Sequence, residues 1–260
     1  MRWLNHSRSG RVVVGATASA LMILAAWLFT ESKSETSYIW PTFGQVWTSF
    51  RETWLFSHVG SDVWPSLRRM FVGYGIAAVA GVAVGFVLGS SKVLDAMATP
   101  VVSFLRSIPA AALLPPAIIL FGIGDLTKIV VIAFVCCWPI ILNTRDGVLE
   151  LDDTMLASAR IYGITGVRRF GLIVLPAVAP RIFAGLRISL SIAILLLVTS
   201  EMVASVNGIG YFVFLAQQQF AVDDMWAGVI LLGLLGVVLN YLLSLVERFV
   251  LRWHQPADHA

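Results

Sequence analysis

The chain has 260 residues, of which 58% are apolar and only 13% charged. A soluble domain carries about a quarter charged residues, whereas apolar runs of about twenty residues mark membrane spans. The net charge of +3 is too small, and too dispersed, for the dense Lys/Arg stripe of a nucleic-acid binder.

Residues 1–11 are polar and basic, with Arg2, Arg8 and Arg11, and residues 12–30 are apolar. That run is long for the apolar part of a signal peptide and no clear A-x-A site follows, so it reads as a retained first span with its N-terminus inside. Residues 31–60 are polar and read as extracytoplasmic. Within them Phe43, Val46, Trp47, Phe50 and Trp54 recur at helical spacing behind a capping Thr42. Two readings of that aromatic stripe stand, a helix in the headgroup region and packing against other spans. The second span lies within residues 62–90. It places Gly73, Ala77, Gly81, Gly85 and Gly89 four residues apart, and small residues at that spacing let another helix approach to backbone contact.

Residues 91–121 are apolar but broken by Pro100, Pro109, Pro115 and Pro116, with Arg106 and Ser107 among them. Proline removes a donor and kinks a helix, and broken backbone at membrane depth is tolerated only against protein or a water-filled path. Two roles for Arg106 stand: facing an anionic solute, or snorkelling to lipid phosphate. A fourth span at 127–144 holds Pro139 and the chain's two cysteines, Cys136 and Cys137. Adjacent cysteines in an apolar run cannot form a framework disulfide and read as small packing residues. The histidines, His6, His58, His254 and His259, lack metal-ligand spacing.

The stretch 151–176 is charged and helically patterned. Met155, Leu156, Ala159 and Tyr162 fall at helical spacing, so residues 152–162 read as an amphipathic helix. Asp152 and Asp153 complement its dipole, Gly163 supplies a turn, and a second short helix at 167–174 runs into Pro176. Arg160, Arg168 and Arg169 charge this knob. A fifth span follows at about 180–203 and ends in Ser200, Glu201 and Met202. Residues 217–224 read as an outer loop. A sixth span at 225–251 ends in Arg248 and Arg252. Most Lys and Arg fall inside on this scheme; Lys33, Arg51, Arg68, Arg69 and Lys128 fall outside, in keeping with the positive-inside rule. Arg106 and Glu201 are then the ionisable residues within spans.

Chemistry of other kinds is missing. No G-x-x-x-x-G-K-[ST] occurs, so this chain cradles no nucleotide phosphate. Neither H-E-x-x-H, C-x-x-C nor G-x-S-x-G is present, and no catalytic site is read.

Ala157-Ser158-Ala159, Gly163, Ile173 and Leu175-Pro176 resemble the EAA loop of bacterial ABC-importer permeases: Glu-Ala-Ala, three residues, Gly, nine residues, Ile-x-Leu-Pro. Every spacing fits, while Ala157 stands where the family has Glu and Ser158 where it has the first Ala. The run LRSIPAAALLPPAIILFGIGDLTKI (105–129) resembles the third-span segment of the sulfonate, taurine and nitrate importer permeases. Glu201, Gly208 and Gly210 match that family's Ala-Glu-Met-like triplet and Gly-x-Gly turn. The resemblance covers about 42–252. It implies an all-α integral membrane protein of a bacterial cytoplasmic membrane with six transmembrane helices, the MetI-like importer-permease fold; the six spans and their flanking charges put both termini in the cytoplasm.

The spans read along the chain divide it into a first span and outer helix (1–60), a permease core (61–252) with the coupling loop 151–176, and a polar tail (253–260). The resemblance further implies a non-catalytic subunit that pairs with a second copy. Its ABC ATPase partners bind ATP and Mg and receive a coupling helix built on Ala157, Ser158, Ala159, Arg160, Tyr162 and Gly163. An extracytoplasmic binding protein delivers a small anion past Arg106, Ser107, Ser200 and Glu201, with the 217–224 loop as a landing patch. Two alternatives belong to other classes. An ion-coupled secondary carrier would use ionisable residues within the spans. A membrane-embedded enzyme would need a reactive polar cluster at one depth.

Overall fold

The glycines of the second span set the architecture. In the computed structural model, which describes residues 41–54 and 58–252, they lie on α2 (Trp64–Gly89) and face α5 (Asp125–Leu149). A methyl group built on Gly85 would stand 2.6 Å from Thr144 Cβ and 2.8 Å from the Ile141 carbonyl oxygen. Gly73 meets Ile132, Gly81 meets Ile140 and Gly89 meets Val148 in the same way. Partners on both helices rise together at one constant offset, so α2 and α5 run parallel. Ala77 and Cys136, the same step along each helix, are fully buried. With no hydrophobic force between helices in lipid, such backbone-close packing is what joins them.

Two parallel neighbours require the chain between them to return. It leaves α2 at Gly89, beside Val148, and re-enters α5 beside Arg69 near the start of α2. The return is made by α3 (Lys92–Arg106), a short 3₁₀ turn (Ala110–Leu113) and α4 (Leu114–Phe121), with a bend of 85° between the two halves. Pro109 lies at the break and Pro115 in the first turn of α4, where a missing N–H does no harm. The kinked third span of the sequence reading is thus two helices meeting almost at a right angle.

Beyond α5, helix α6 (Asp153–Ile161) is capped by Asp152, whose carboxylate accepts from the Thr154 N–H at 2.8 Å. The chain then enters α7 (Gly166–Ala204), 39 residues without interruption apart from a π turn at Phe170–Val174. This corrects the sequence reading. The expected short helix at 167–174 and the fifth span at 180–203 are one rod, because Pro176 sits in the first turn of its regular part, where proline is accommodated. Helix α7 runs antiparallel to α5. Gly147 seats against Arg181 and Val178, and Gly185 against the Pro139 carbonyl oxygen at 3.0 Å. Ser189 Oγ donates to the Cys136 carbonyl oxygen at 2.7 Å. The core of Met70, Ile132, Ile140, Leu190, Leu196 and Leu197 fills the space among α2, α5 and α7.

These helices belong to one of two units, residues 60–212 with 232–260; the other comprises residues 1–59 with 213–231. In the second of these, α1 (Phe43–Glu52) carries a capping box: Thr42 Oγ1 accepts from the Gln45 N–H and Gln45 Oε1 accepts from the Thr42 N–H. Its aromatic stripe divides, with Val46 and Trp54 buried and Phe43 and Trp47 exposed. Ser49 Oγ donates to Asp224 at 2.6 Å.

Helix α8 (Ile209–Gln218) stands where the outer loop was expected to begin, and α9 (Val222–Val250) starts within that loop, Asp223 and Asp224 complementing its first turn. Only residues 219–221 remain between the two. Among the described residues four helices are long and apolar enough to cross a membrane, or five if the bent pair is one span. The first span expected at 12–30 and the tail at 253–260 lie outside the described residues.

The glycine contacts give a direct check. Gly85→Leu drives a side chain into the backbone of α5 and is expected to destabilise by about 1–3 kcal/mol or more, as overpacking does. Gly75→Ala, with nothing within 4 Å of the added methyl, is expected to be neutral within about 0.5 kcal/mol. Thermal unfolding of both variants in the same detergent measures the difference.

Candidate functional site

At the end of the block where α2 and α5 begin and α7 stops, charged side chains converge, and Asp62, Arg69, Lys128 and Glu201 among them are buried. Arg68 and Arg69 are adjacent, yet successive helical residues point about 100° apart. The Arg68 side chain is 62% exposed and that of Arg69 only 5%. Arg69 uses its whole fork. Its Nε donates to Asp125 at 2.6 Å, and one terminal nitrogen donates to Glu201 at 2.8 Å and to the Asn207 carbonyl oxygen at 3.0 Å. The other terminal nitrogen donates to the Asn207 side chain. Such simultaneous planar contacts are what arginine offers and lysine does not.

Glu201 is fully buried. Its carboxylate accepts from Ser66 Oγ at 2.7 Å, from Arg69 and from the Gly210 N–H at 3.0 Å. The preceding amides are taken as well: the Gly208 N–H donates to Asp62 at 2.8 Å and the Ile209 N–H to Ser66 Oγ at 3.0 Å. Three consecutive N–H groups opening α8 are therefore satisfied by side chains from the start of α2 and the end of α7. Buried backbone N–H groups that lack a partner are costly, so that satisfaction is needed. The turn depends on its glycines. Gly208 has φ +119°, and any Cβ there would collide with the Glu201 carboxylate; a Cβ at Gly210 would stand 2.5 Å from the Val198 carbonyl oxygen.

Lys128, one turn into α5, completes the cluster. Its ammonium donates to the Ala204 carbonyl oxygen at 2.6 Å and to the Gly124 carbonyl oxygen at 3.0 Å. It thus caps the last turn of α7, where the helix dipole favours a cation. Asp62, Asp125 and Glu201 balance Arg68, Arg69 and Lys128, so the cluster is formally neutral.

The opposite end of the same block carries the 151–176 segment. Ala159 is buried, while Ala157 is half-buried and Ser158 and Arg160 are exposed. Gly163 takes φ +69°, and the Gly163 and Ile164 N–H groups donate back to the Arg160 and Ala159 carbonyl oxygens, closing the helix as a glycine C-cap does. Tyr162 does not share the packed face with Leu156 and Ala159: it is 81% exposed, beside Ile161 at 84% and Val167 at 87%. The base of the segment is held by Phe170, edge-on to Phe86 at 4.9 Å, and by Val174 against Val178 and Ile182.

The residues expected along a solute pathway separate into two environments. Arg106 and Ser107 are exposed at the break between α3 and α4, with Ser107 Oγ donating to the Ser103 carbonyl oxygen. Ser200 and Glu201 are sealed in the block, Ser200 Oγ bonded to the Leu197 carbonyl oxygen at 2.9 Å. Asp62, Arg69 and Lys128 are ionisable and buried, which corrects the reading that Arg106 and Glu201 are the ionisable residues within spans. The positive-inside scheme counts Lys128 and Arg69 only as charges on the outer side. A signal was there: Ser66, Arg69, Gly73 and Ala77 share one helical phase, and so do Lys128, Ile132 and Cys136. Extending the glycine stripe back one turn points Ser66 and Arg69 inward.

Arg69→Ala leaves Glu201 buried without its cation and is expected to cost about 3–5 kcal/mol. Arg68→Ala, at an exposed partner 3.6 Å from Asp125, is expected to cost under about 1 kcal/mol. Yield and thermal stability of the two neighbouring variants separate these outcomes.

Residues 77–253 match the family described as binding-protein-dependent transport system inner membrane component. The bicarbonate transport system permease protein CmpB of Synechococcus elongatus is 36% identical over 188 residues, covering 72% of this chain and 68% of that protein. The nitrate import permease protein NrtB of Synechocystis is 32% identical over 192 residues, covering 74% and 70%. A solved structure of the MetNI methionine ABC transporter in an inward-facing conformation aligns with a TM-score of 0.62 at 22% identity, over 72% of this chain and 94% of that one, a likeness of fold. The resemblance read from 105–129 and 151–176 is met by these matches: the chain belongs to the binding-protein-dependent inner membrane components of ABC importers.

Proposed function

We propose that this chain is the membrane-spanning permease subunit of an ATP-driven importer, working as a pair of copies that enclose the solute path. ATPase subunits holding ATP and Mg press on the 151–176 segment from the cytoplasm, and a binding protein delivers solute from the other side. The observation that carries the reading is the exposed apolar tip of Ile161, Tyr162 and Val167, which sits at the short 162–165 turn leading into the 39-residue helix α7. A partner seated on that tip would act on the far end of the block through one rod. Ala157 removes the carboxylate that the family has there, so apolar contact and the arginines Arg160, Arg168 and Arg169 hold the partner.

The solute is a small oxyanion. Relatives named for bicarbonate and nitrate support that class, and Arg106 with Ser107 at the α3–α4 break offers the exposed cation and hydroxyl to meet it. Ser200 and Glu201 act inside the block. The ion-coupled carrier is not favoured: its ionisable residues would need a vacant partner, and the carboxylate of Glu201 is saturated by Ser66, Arg69 and Gly210.

Deleting residues 155–169 is expected to leave membrane insertion intact and to abolish co-purification of an ATPase; retained ATPase binding would falsify the reading. In the intact transporter Arg106→Ala is expected to lower nitrate or bicarbonate uptake by about tenfold, as loss of a charged solute contact does; unchanged uptake would remove Arg106 from the path.

A further inference from the structure

The block has a coupling segment at one end and a buried charge cluster at the other, and α7 belongs to both. We propose that the Arg69–Glu201 cluster is a clamp that makes α2, α5, α7 and the 205–210 turn one lever, so that displacement of the 151–176 segment is delivered undiminished to that turn. The proposal rests on the functional reading above.

Three observations carry it. The clamp joins four places at once: Asp62, Ser66 and Arg69 at the start of α2, Asp125 and Lys128 at the start of α5, Glu201 and Ala204 at the end of α7, and Asn207 to Gly210 in the turn. The bonds of Glu201 to Ser66, Arg69 and Gly210, of Asp62 to Gly208, of Ser66 to Ile209 and of Lys128 to Ala204 lie among buried groups, while those to Asp125 and Asn207 are part-buried. The glycine contacts of α2 on α5, and of Gly147 and Gly185 between α5 and α7, leave no soft side-chain layer in which these helices could slide. Packed elements of this kind move as bodies. Val206, near the start of the turn, has an exposed side chain, so the clamped turn reaches the surface at that residue.

Glu201 and Arg69 are thus positioning residues, acting on solute through the turn. Glu201→Gln keeps the shape but removes the charge and sets amide hydrogens against one of two donors, the Gly210 N–H or the Arg69 guanidinium. Ser66→Ala removes one hydroxyl that bonds both Glu201 and Ile209, a milder lesion that keeps the question open should the first variant fail to fold.

The test uses the assembled transporter with its ATPase, in a background where Cys136 and Cys137 are alanine. One fluorescent reporter sits on Ser158→Cys in the coupling segment and, in a separate preparation, another on Val206→Cys. ATP with vanadate is the trigger. Both reporters are expected to respond in the unaltered clamp. With Glu201→Gln or Ser66→Ala the Ser158 reporter keeps its response, while the Val206 response falls by about tenfold, a typical coupling factor. A merely structural lesion would lower assembly and both responses together. A Val206 response retained within about twofold, with the ATPase still bound, overturns the clamp alone. Absence of any ATPase from the unaltered complex overturns the functional reading and the clamp with it.

Discussion

A guanidinium and a carboxylate sealed from water persist only together. Arg69 and Glu201 are such a pair, and the fold around them is arranged to keep them so. Separating them would leave a charge uncompensated in a medium that stabilises neither. Each therefore draws in further partners. Arg69 recruits Asp125 and Asn207, Glu201 recruits Ser66 and the Gly210 amide, and the beginning of one helix becomes fastened to the beginning of a second and the end of a third. In water such a cluster would add little. In lipid it fixes which helices stay together, because the alternative is an unsatisfied ion.

The same helices are joined along their length by a different force. Glycine removes the side-chain layer between α2 and α5, and the backbones then meet through van der Waals contact. Contact of that kind is short in range and unforgiving of slip, whereas the charge cluster tolerates little rotation. Between them they define a body that can tilt but not shear. Into this body α7 is built, and its outer end is joined through the 162–165 turn to the exposed segment with Tyr162 at its tip. A push at one end of such a rod is a displacement at the other. The bent pair α3–α4, by contrast, has an 85° break and exposed polar side chains at that break. The molecule thus separates a closely packed helical block from a bent pair whose break is exposed.

Much of this was legible in the residues. The four-residue glycine period, the prolines of the third crossing, the Asp152 start and the Gly163 stop all have local physical causes, and each lies in the structure where its cause puts it. The boundary at Pro176 was misjudged because proline ends a helix when it falls inside one and is harmless when it falls in the first turn; spacing alone does not say which. The helix Ile209–Gln218 was missed because its N-terminus has no capping residue of its own. Its caps, Asp62, Ser66 and Glu201, come from elsewhere in the chain. For the same reason Arg69 and Lys128 count only as outer charges when the chain is taken by spacing alone. Arg68 and Arg69 are identical in kind and adjacent in position, and only the phase of Gly73 and Ala77 distinguishes the inward one.

The central claim is that α2, α5 and α7 form one unyielding body driven from the 151–176 segment. A structure of the assembled transporter trapped with ATP and vanadate, set beside one without nucleotide, tests it most directly. The account requires Gly73 to stay opposite Ile132, Gly89 to stay opposite Val148 and Arg69 to stay bonded to Glu201 in both, while the body as a whole changes its tilt. A shift of α2 along α5, or an Arg69–Glu201 pair broken in one of the two states, would contradict it.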